Sequence, residues 1–182
     1  MSVVIAVKDG DKIYVGADCQ GTRGQIKIKC SKVFPIKNCP NGIIGGAGIL
    51  SEIQALSFQE NLISKKTQKK NGVNSTYLFN IFFPKVLYIL ETLKRLPSNS
   101  TQCNSSLILA YKDKAWEIDA YGAISELAKD KDFLVIGSGV EVAIGSLSAT
   151  KNLPAKERIE LAVQACNDNT IYVNDTIEIF NT

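Results

Sequence analysis

Ser2-Val3-Val4-Ile5-Ala6-Val7, the stretch that follows Met1, decides the fold of this chain. Its run of valine, isoleucine and alanine predicts a buried β-strand. A turn at Asp9-Gly10 leads to residues 13–18, in which apolar side chains recur at alternate positions, as in a β-hairpin. The sequence therefore predicts two antiparallel strands, with Ser2 directly before the first and Asp18 at the end of the second.

Ser2 would carry two reactive groups if Met1 were removed. These are a nucleophilic hydroxyl and a free α-amine, whose ordinary pKa of about 7.7–8.0 suits a general base near neutral pH. The chain contains no histidine, which excludes a Ser-His-Asp or Cys-His relay and leaves only cysteine or carboxylate ligands for zinc. Hydrolytic chemistry would therefore depend on lysine, a carboxylate or the amino terminus.

Length and composition indicate an ordinary globular protein with one domain over residues 1–182, since 45% of the residues are apolar and 21% are charged. The net charge is only +3, and its main basic cluster lies in residues 64–74, a polar stretch that predicts a surface loop. No aromatic residues interleave with those lysines, so we expect no nucleic-acid partner. Five cysteines without a Cys-x-x-Cys pair favour reduced thiols and a cytoplasmic protein.

The most hydrophobic stretch, residues 77–90, is too short for a membrane span, which needs ~20 apolar residues. It also contains Asn80, Pro84 and Lys85. We therefore expect a buried helix that Pro84 could kink, and no membrane partner. The amino terminus likewise lacks the pattern of a secretory signal.

The order of predicted elements is strands, two helices, strands, two helices and strands. Helix pairs that are segregated from antiparallel strands favour an α+β fold over a parallel doubly wound sheet. We predict a four-layer αββα sandwich, with two antiparallel sheets face to face and helix pairs outside. The predicted helices begin at Ile49, at Ser75 with Asn74 or Ser75 as cap, at Val140 and at Pro154; later strands are expected near residues 33–36, 43–48, 107–111, 115–118, 133–136, 171–173 and 176–180.

Four features are spaced along the first third of the chain: Ser2 before a strand, Asp18 at a strand end, Lys32 before Val33, and the turn Gly45-Gly46-Ala47-Gly48. Together they resemble the β-type proteasome family of N-terminal nucleophile (Ntn) hydrolases, and most closely its bacterial HslV-type peptidases. The resemblance covers nearly the whole chain and implies the four-layer Ntn fold.

The resemblance also implies a role for each matching residue. Ser2 would be the nucleophile, Asp18 and Lys32 a charged pair beside it, and the Gly48 amide a donor to the oxyanion. Ser138, in Gly137-Ser138-Gly139, and Asp168, a weaker match to the family's second carboxylate, would orient the terminus and its water. No cofactor is required, but related peptidases bind a cation through main-chain carbonyls near the segment that here includes Asn167, Thr170 and Val173.

Structural alternatives exist for each of these residues. Asp18 and Lys32 could form an ordinary strand-end ion pair, and Ser138 could cap the helix that begins near Val140. The interval from Asp18 to Lys32 is shorter than the family's, so Lys29 is a rival for the lysine. The family nucleophile is threonine, and serine lacks the methyl group that restricts χ1.

The function implied is that of an endopeptidase of the threonine-peptidase type, here with an N-terminal serine. It would assemble into homo-oligomeric rings and hydrolyse peptides or unfolded proteins supplied by an ATP-dependent unfoldase. Two alternatives stay open: a small-molecule amidase or acylase on the same fold, and a non-catalytic ring or scaffold subunit.

Overall fold

The computed structural model describes residues 2–70 and 72–182. The strands are β1 Val3–Asp9, β2 Lys12–Asp18, β3 Gln20–Arg23, β4 Ile26–Lys29, β5 Val33–Pro35, β6 Gly42–Ala47, β7 Ser106–Tyr111, β8 Lys114–Ile118, β9 Ile124–Glu126, β10 Phe133–Gly137 and β11 Ile177–Asn181. The helices are α1 Leu50–Ser57, α2 Lys65–Lys69, α3 Ser75–Tyr77, α4 Phe83–Thr92, α5 Val140–Ala149 and α6 Ala155–Asn169, and a π-helical segment, Leu78–Phe82, joins α3 to α4.

The two main sheets are antiparallel and lie face to face. One has the strand order β10-β1-β2-β11 and the other has the order β5-β6-β7-β8-β9, while β3 and β4 form a separate hairpin. Helices α5 and α6 cover the first sheet, and α1 and α4 cover the second. The predicted α+β sandwich with four αββα layers is therefore confirmed.

Strand β1 shows why the amino-terminal stretch is apolar at every position. Because successive side chains point to opposite faces of a strand, its residues divide between two layers. Val3, Ile5 and Val7 pack with α5 and α6, whereas Val4 and Ala6 lie between the two sheets. Both faces of β1 are buried, and its start is consequently held inside the protein.

Two stretches for which no helix or strand was predicted contain regular structure. Residues 19–29 form the β3–β4 hairpin, and the basic loop contains α2, whose first turn is capped by the Ser64 hydroxyl accepting from the Thr67 amide at 3.1 Å. The β1–β2 turn is also one residue later than predicted, because Asp9 pairs with Lys12.

The strand predicted at residues 171–173 is wrong. This segment is held by side chains instead of a strand ladder: Gln20 Nε2 donates to the Ile171 carbonyl at 3.2 Å, and Asn174 Oδ1 accepts from the Cys19 amide at 3.1 Å. Only β11 follows it as a strand in the described part of the chain.

The helical region after the basic cluster begins as predicted, since the Asn74 side chain accepts from the Tyr77 amide at 2.9 Å. The π-helical segment ends at Phe82, two residues before Pro84. Proline has no N–H to donate to the preceding turn, and a wider π turn accommodates the missing hydrogen bond. Within residues 2–70 and 72–182, no helix has both the length and the apolarity to cross a membrane.

Candidate active site

The Asp18 carboxylate organises the site from the end of β2. It is fully buried and accepts four hydrogen bonds from three groups: the Val3 amide at 3.0 Å, the Gln20 amide at 2.9 Å, and Lys32 Nζ at 2.8 and 2.7 Å. The Lys32 side chain is itself only 3% exposed. A buried charge pair is tolerated only when its remaining hydrogen bonds are made, and here the backbone next to Ser2 makes one of them.

Lys32 reaches Asp18 because of the pairing of β5 with β6. It directly precedes β5, and its carbonyl accepts from the Gly46 amide at 2.9 Å. Lys29, the alternative lysine, ends β4 with an exposed side chain. The structure therefore brings Lys32, and not Lys29, to the Asp18 carboxylate.

Ser2 is held by the turn that follows β10. Its nitrogen donates to Ser138 Oγ at 3.1 Å, and the Ser138 hydroxyl in turn donates to the Ser2 carbonyl at 3.3 Å. The approach is so close that a Cβ on Gly137, which has φ of 103°, would collide with the Ser2 carbonyl. Ser138 is not the cap of α5, because the residue at the N-cap is Gly139 and no side chain caps that helix. Met1 lies outside the described residues, and its removal stays a prediction.

Gly48 forms the turn between β6 and α1. Its φ of 144° is a conformation that side chains disfavour, and an added Cβ would lie 2.5 Å from the Asn104 carbonyl oxygen. Within the described chain, no acceptor is found for the Gly48 amide. Since Gly48 lines the same cavities as Ser2, this amide is available to a ligand there.

Two cavities meet at Ser2, Gly48 and Ile49. The larger has a volume of about 490 Å³, and the smaller, of about 350 Å³, includes Ser138 and Asn104. The larger cavity is lined mainly by uncharged side chains, and the charge of Lys32 within it is paired. The residues that line the larger cavity beyond the predicted site are Gln20, Gly21, Thr22, Ile28, Cys30, Ile49, Leu50, Ser51, Ile53 and Gln54.

Cys30 is a second possible nucleophile in the larger cavity. Burial raises the pKa of its thiol above the ordinary value, and the nearby Lys32 charge does not offset this effect. A thiol is reactive only as the thiolate. At neutral pH Cys30 is therefore protonated, which leaves Ser2 as the better candidate.

Asp168 is not brought to Ser2 by any described contact. Its exposed carboxylate accepts from Gln164 Nε2 at 2.7 Å and Asn167 Nδ2 at 3.3 Å, both on α6. The inner face of α6 is marked by Cys166, whose thiol donates to the Gly139 carbonyl at 3.3 Å. Asp168 is two positions after Cys166. At 3.6 residues per turn, residues two positions apart in a helix are separated by about 200° around its axis, so Asp168 lies on the opposite face. Its predicted catalytic role is not supported by this geometry.

The predicted cation would bind at the end of α6, near Asn167, Thr170 and Val173. In the described part of the chain, no group of three or more histidine, cysteine or acidic side chains is arranged to hold a metal ion. Thr170 Oγ1 is buried and has no partner there, which adds one oxygen of the kind that a hard cation prefers. The cation site stays a prediction.

Sequence reasoning missed the residues behind Gly48. Glu52 and Ser105 are buried and, with the exposed Asn104, form a hydrogen-bonded group against this turn. The available signal was an acidic residue in the first turn of the helix that follows the glycine-rich turn.

Comparisons with known proteins found similar chains and similar folds, although no protein-family model matches the chain. A proteasome subunit beta from Nanoarchaeum equitans is 24% identical over 177 residues, which cover 91% of this chain and 83% of that protein. BPH of Thiobacillus denitrificans, solved in complex with epoxomicin, matches with a TM-score of 0.77 at 15% identity, covering 99% and 97% of the two chains. HslV from Trypanosoma brucei matches with a TM-score of 0.66 at 20% identity, covering 98% of each.

The fold is therefore that of the N-terminal nucleophile hydrolases. Within that class, the resemblance to the β-type proteasome and HslV-like proteins is confirmed along nearly the whole chain.

Proposed function

We propose that this protein is a proteasome-type peptidase in which Ser2, after removal of Met1, is the nucleophile. One observation carries the proposal: the buried Asp18 carboxylate binds both Lys32 and the Val3 amide, so a charged pair lies next to the Ser2 peptide unit, and the lysine of that pair lines the Ser2 cavity. A purely structural ion pair would not need a cavity that also holds a serine and an unpartnered amide.

The first step is acylation of Ser2. Its Oγ attacks the carbonyl carbon of a peptide bond, and the hydroxyl proton passes to the α-amine, through water where the direct geometry is poor. The resulting oxyanion accepts a hydrogen bond from the Gly48 amide. Loss of one such donor typically costs on the order of 100- to 1000-fold in rate. The Lys32 charge, fixed by Asp18, favours the negatively charged transition state.

The second step returns the enzyme to its starting state. The tetrahedral intermediate collapses, the carbon–nitrogen bond breaks, and the leaving amine takes the proton held by the α-amine. Water then attacks the Ser2 ester, giving up a proton to the same amine. The bond between Ser2 Oγ and the acyl carbon breaks, Oγ takes that proton from the amine, and the carboxylic acid product leaves. Ser138, which contacts both the nitrogen and the carbonyl of Ser2, would keep that amine oriented in both steps.

The finer properties rest on the resemblance. We propose that the substrates are peptides or unfolded proteins, that the subunits form homo-oligomeric rings, and that an ATP-dependent unfoldase supplies substrates. The five free cysteines support a cytoplasmic location. A cation bound near Thr170 would fix the turn that follows α6, and it is not required for the proton transfers above.

The test begins with mass spectrometry of the purified protein, which should show loss of Met1. A peptide epoxyketone, which needs both a hydroxyl and a free amine on one residue, should then add its mass to the peptide that begins with Ser2. Ser2→Ala should abolish labelling and peptide hydrolysis, whereas Ser2→Thr, which restores the hydroxyl, should keep both.

Three outcomes would count against the proposal. Retention of Met1 in the native cell would favour a scaffold subunit. Activity that survives Ser2→Ala would exclude Ser2 as nucleophile. Hydrolysis of small amides by a monomer, measured by light scattering together with turnover, would favour an amidase instead of a ring peptidase.

A further inference from the structure

Glu52 is a buried acid that the proposed mechanism does not use. Its side chain, in the first turn of α1, is 1% exposed. Its carboxylate accepts from the Asn104 amide at 3.1 Å, from Asn104 Nδ2 at 2.7 Å and from Ser105 Oγ at 2.7 Å. In the described part of the chain, no lysine or arginine pairs with it. Several neutral donors therefore hold this charge, and all of them come from two adjacent residues.

The same two residues support the turn that carries the candidate oxyanion donor. Ser105 Oγ accepts from the Ile49 amide at 3.0 Å while it donates to Glu52. At Gly48 an added Cβ would lie 2.6 Å from Ser105 Cα and 2.7 Å from Ser105 Oγ. The Cα of Gly48, which is bonded to the candidate donor nitrogen, and the Gly48–Ile49 peptide unit after it thus rest directly against the residues that Glu52 holds.

We propose that Glu52, acting through Asn104 and Ser105, fixes the orientation of the Gly48 amide toward the oxyanion. Glu52 is thereby a positioning residue, since it contacts neither the substrate nor the reacting atoms. This inference rests on the proposed peptidase function. It adds to that function a residue, Glu52, that supports the Gly48 turn from behind the cavity.

The physical basis is the preorganisation that oxyanion stabilisation requires. A donor stabilises the transition state only if its direction is fixed before the reaction, and the supporting residues must themselves be held. Hydrogen bonds to a carboxylate are shorter and stronger than those between neutral groups. A glutamine at position 52 would turn an N–H₂ group toward the donors of Asn104 or Ser105, and the loop would loosen.

The deciding variant is Ser105→Ala, which removes one hydroxyl and leaves the backbone intact. Glu52→Gln is the second variant, and Ser75→Ala is the matched control, because the Ser75 hydroxyl donates to Glu126 at 3.1 Å and lies outside both cavities. The readouts are kcat and KM for a peptide amide cleaved by the wild type, and Kd for a peptide boronate of the same sequence. The boronate forms a tetrahedral adduct that places an oxygen where the oxyanion would lie.

We expect Ser105→Ala to lower kcat by about 10-fold or more with KM changed less than about threefold, since the interaction lost is specific to the transition state. Boronate affinity should fall by the same factor as kcat/KM, and Ser75→Ala should change none of these values. A folded Ser105→Ala protein with wild-type kcat and boronate affinity would overturn the inference. So would an equal loss in both serine variants.

A second measurement separates this inference from the proposed function. Hydrogen exchange of residues 47–50, measured by mass spectrometry, needs no turnover. Glu52→Gln is the variant for this measurement, because it keeps the Ser105 hydroxyl that accepts from the Ile49 amide. Faster exchange in Glu52→Gln, with no change in Ser75→Ala, supports the positioning role even if the wild type hydrolyses no peptide, a result that would count against the peptidase proposal alone. Unchanged exchange in Glu52→Gln overturns the positioning role whether or not the enzyme is active.

Discussion

The end of β2 and the end of α6 were both predicted to supply a carboxylate to Ser2, but the two carboxylates have different surroundings in the structure. Asp18 is fully buried and binds two backbone amides and a buried lysine. Asp168 is exposed, and its partners are two amide side chains on its own helix.

The difference shows how a strand and a helix constrain the residues near their ends. At the end of β2, Asp18 pairs with Ile177 of β11, and Ala17 directly before it pairs with Val4 of β1, so neighbouring strands on both sides fix its position. At the end of α6, one helical face is packed and the other is open. A shift of two residues moves a side chain from the core to solvent, and a short acidic motif does not specify which face it occupies.

The largest expected effect is that of Asp18→Asn, which leaves Lys32 buried without its charge partner. Removal of one member of a buried pair costs about 3–5 kcal/mol in the free energy of unfolding. Urea denaturation should show this loss, and peptide hydrolysis should fall below detection.

Two further variants test whether that loss comes from the unpaired charge. Lys156→Met breaks an exposed pair with Glu160, in which the atoms are 3.9 Å apart, and should cost less than about 0.5 kcal/mol. The double variant Asp18→Asn/Lys32→Met should recover much of the stability but no activity. If the double variant is as unstable as Asp18→Asn alone, the buried charge is not the cause.

The next effect concerns the packed face of α6, where burial raises the pKa of the Cys166 thiol to about 11 from an ordinary 9.0. The unfolded chain then loses this proton first as pH rises. The thiol's contribution is therefore fully present below pH 9 and is lost progressively as pH approaches 11.

The measurement is urea denaturation at pH 8 and pH 10.5. Between these values the wild type should lose about 1–2 kcal/mol more than Cys166→Ala, because each proton contributes ~1.4 kcal/mol per pH unit. Burial also raises the pKa of the Cys19 and Cys39 thiols to about 11. Both residues are present in both proteins, so their contributions to the loss of stability cancel in the comparison. Equal losses in the two proteins would show that Cys166 titrates alike in the folded and unfolded states.

Much of the fold could be predicted, because a strand apolar on both faces and paired helices point to layers on each side of a sheet. The family resemblance predicted that Ser2, Asp18, Lys32 and Gly48 act together, and their catalytic roles stay predictions. The structure brings these residues close because each lies at an end of a strand near the start of the chain. Asp168 is not brought to them, since helix phase depends on packing that a motif of two or three residues does not encode.

The support from Glu52 was beyond sequence reasoning for another reason. Its partners, Asn104 and Ser105, are about 50 residues away and come close only through the pairing of β6 with β7. Nothing in either segment alone indicates that contact. The β3–β4 hairpin was missed because its strands are short and β3, Gln20–Arg23, has no large apolar side chain; the alternation of isoleucine and lysine in β4 covers only four residues.

A smaller effect is expected on the substrate preference of the larger cavity beside Ser2. This cavity has no unpaired charge, because Lys32 is paired with Asp18. Its apolar walls, with Ile28 and Ile53, favour a neutral apolar side chain next to the cleaved bond. Gln54→Glu would add a negative charge at its rim, and kcat/KM for a substrate with lysine at that position should rise about 10-fold relative to leucine.

The matched variant is Gln54→Lys, which should shift the preference toward an acidic side chain by a similar factor. Fluorogenic peptides that differ only at the residue before the cleaved bond would provide both ratios. Identical preferences in all three proteins would show that this cavity does not hold that residue.

The smallest effect is expected from Asp168→Asn, which changes the exposed carboxylate near the end of α6. The substitution removes the same charge as Asp18→Asn but from an exposed carboxylate with two local hydrogen bonds, for which a change within about 0.5 kcal/mol is usual. We expect kcat and KM within about twofold of the wild type. A loss of kcat approaching that of Asp18→Asn, at unchanged stability, would mean that α6 rearranges on assembly or substrate binding and brings Asp168 to the amino terminus. The two carboxylates would then act together, and the contrast between a strand end and a helix end would hold only for the isolated subunit.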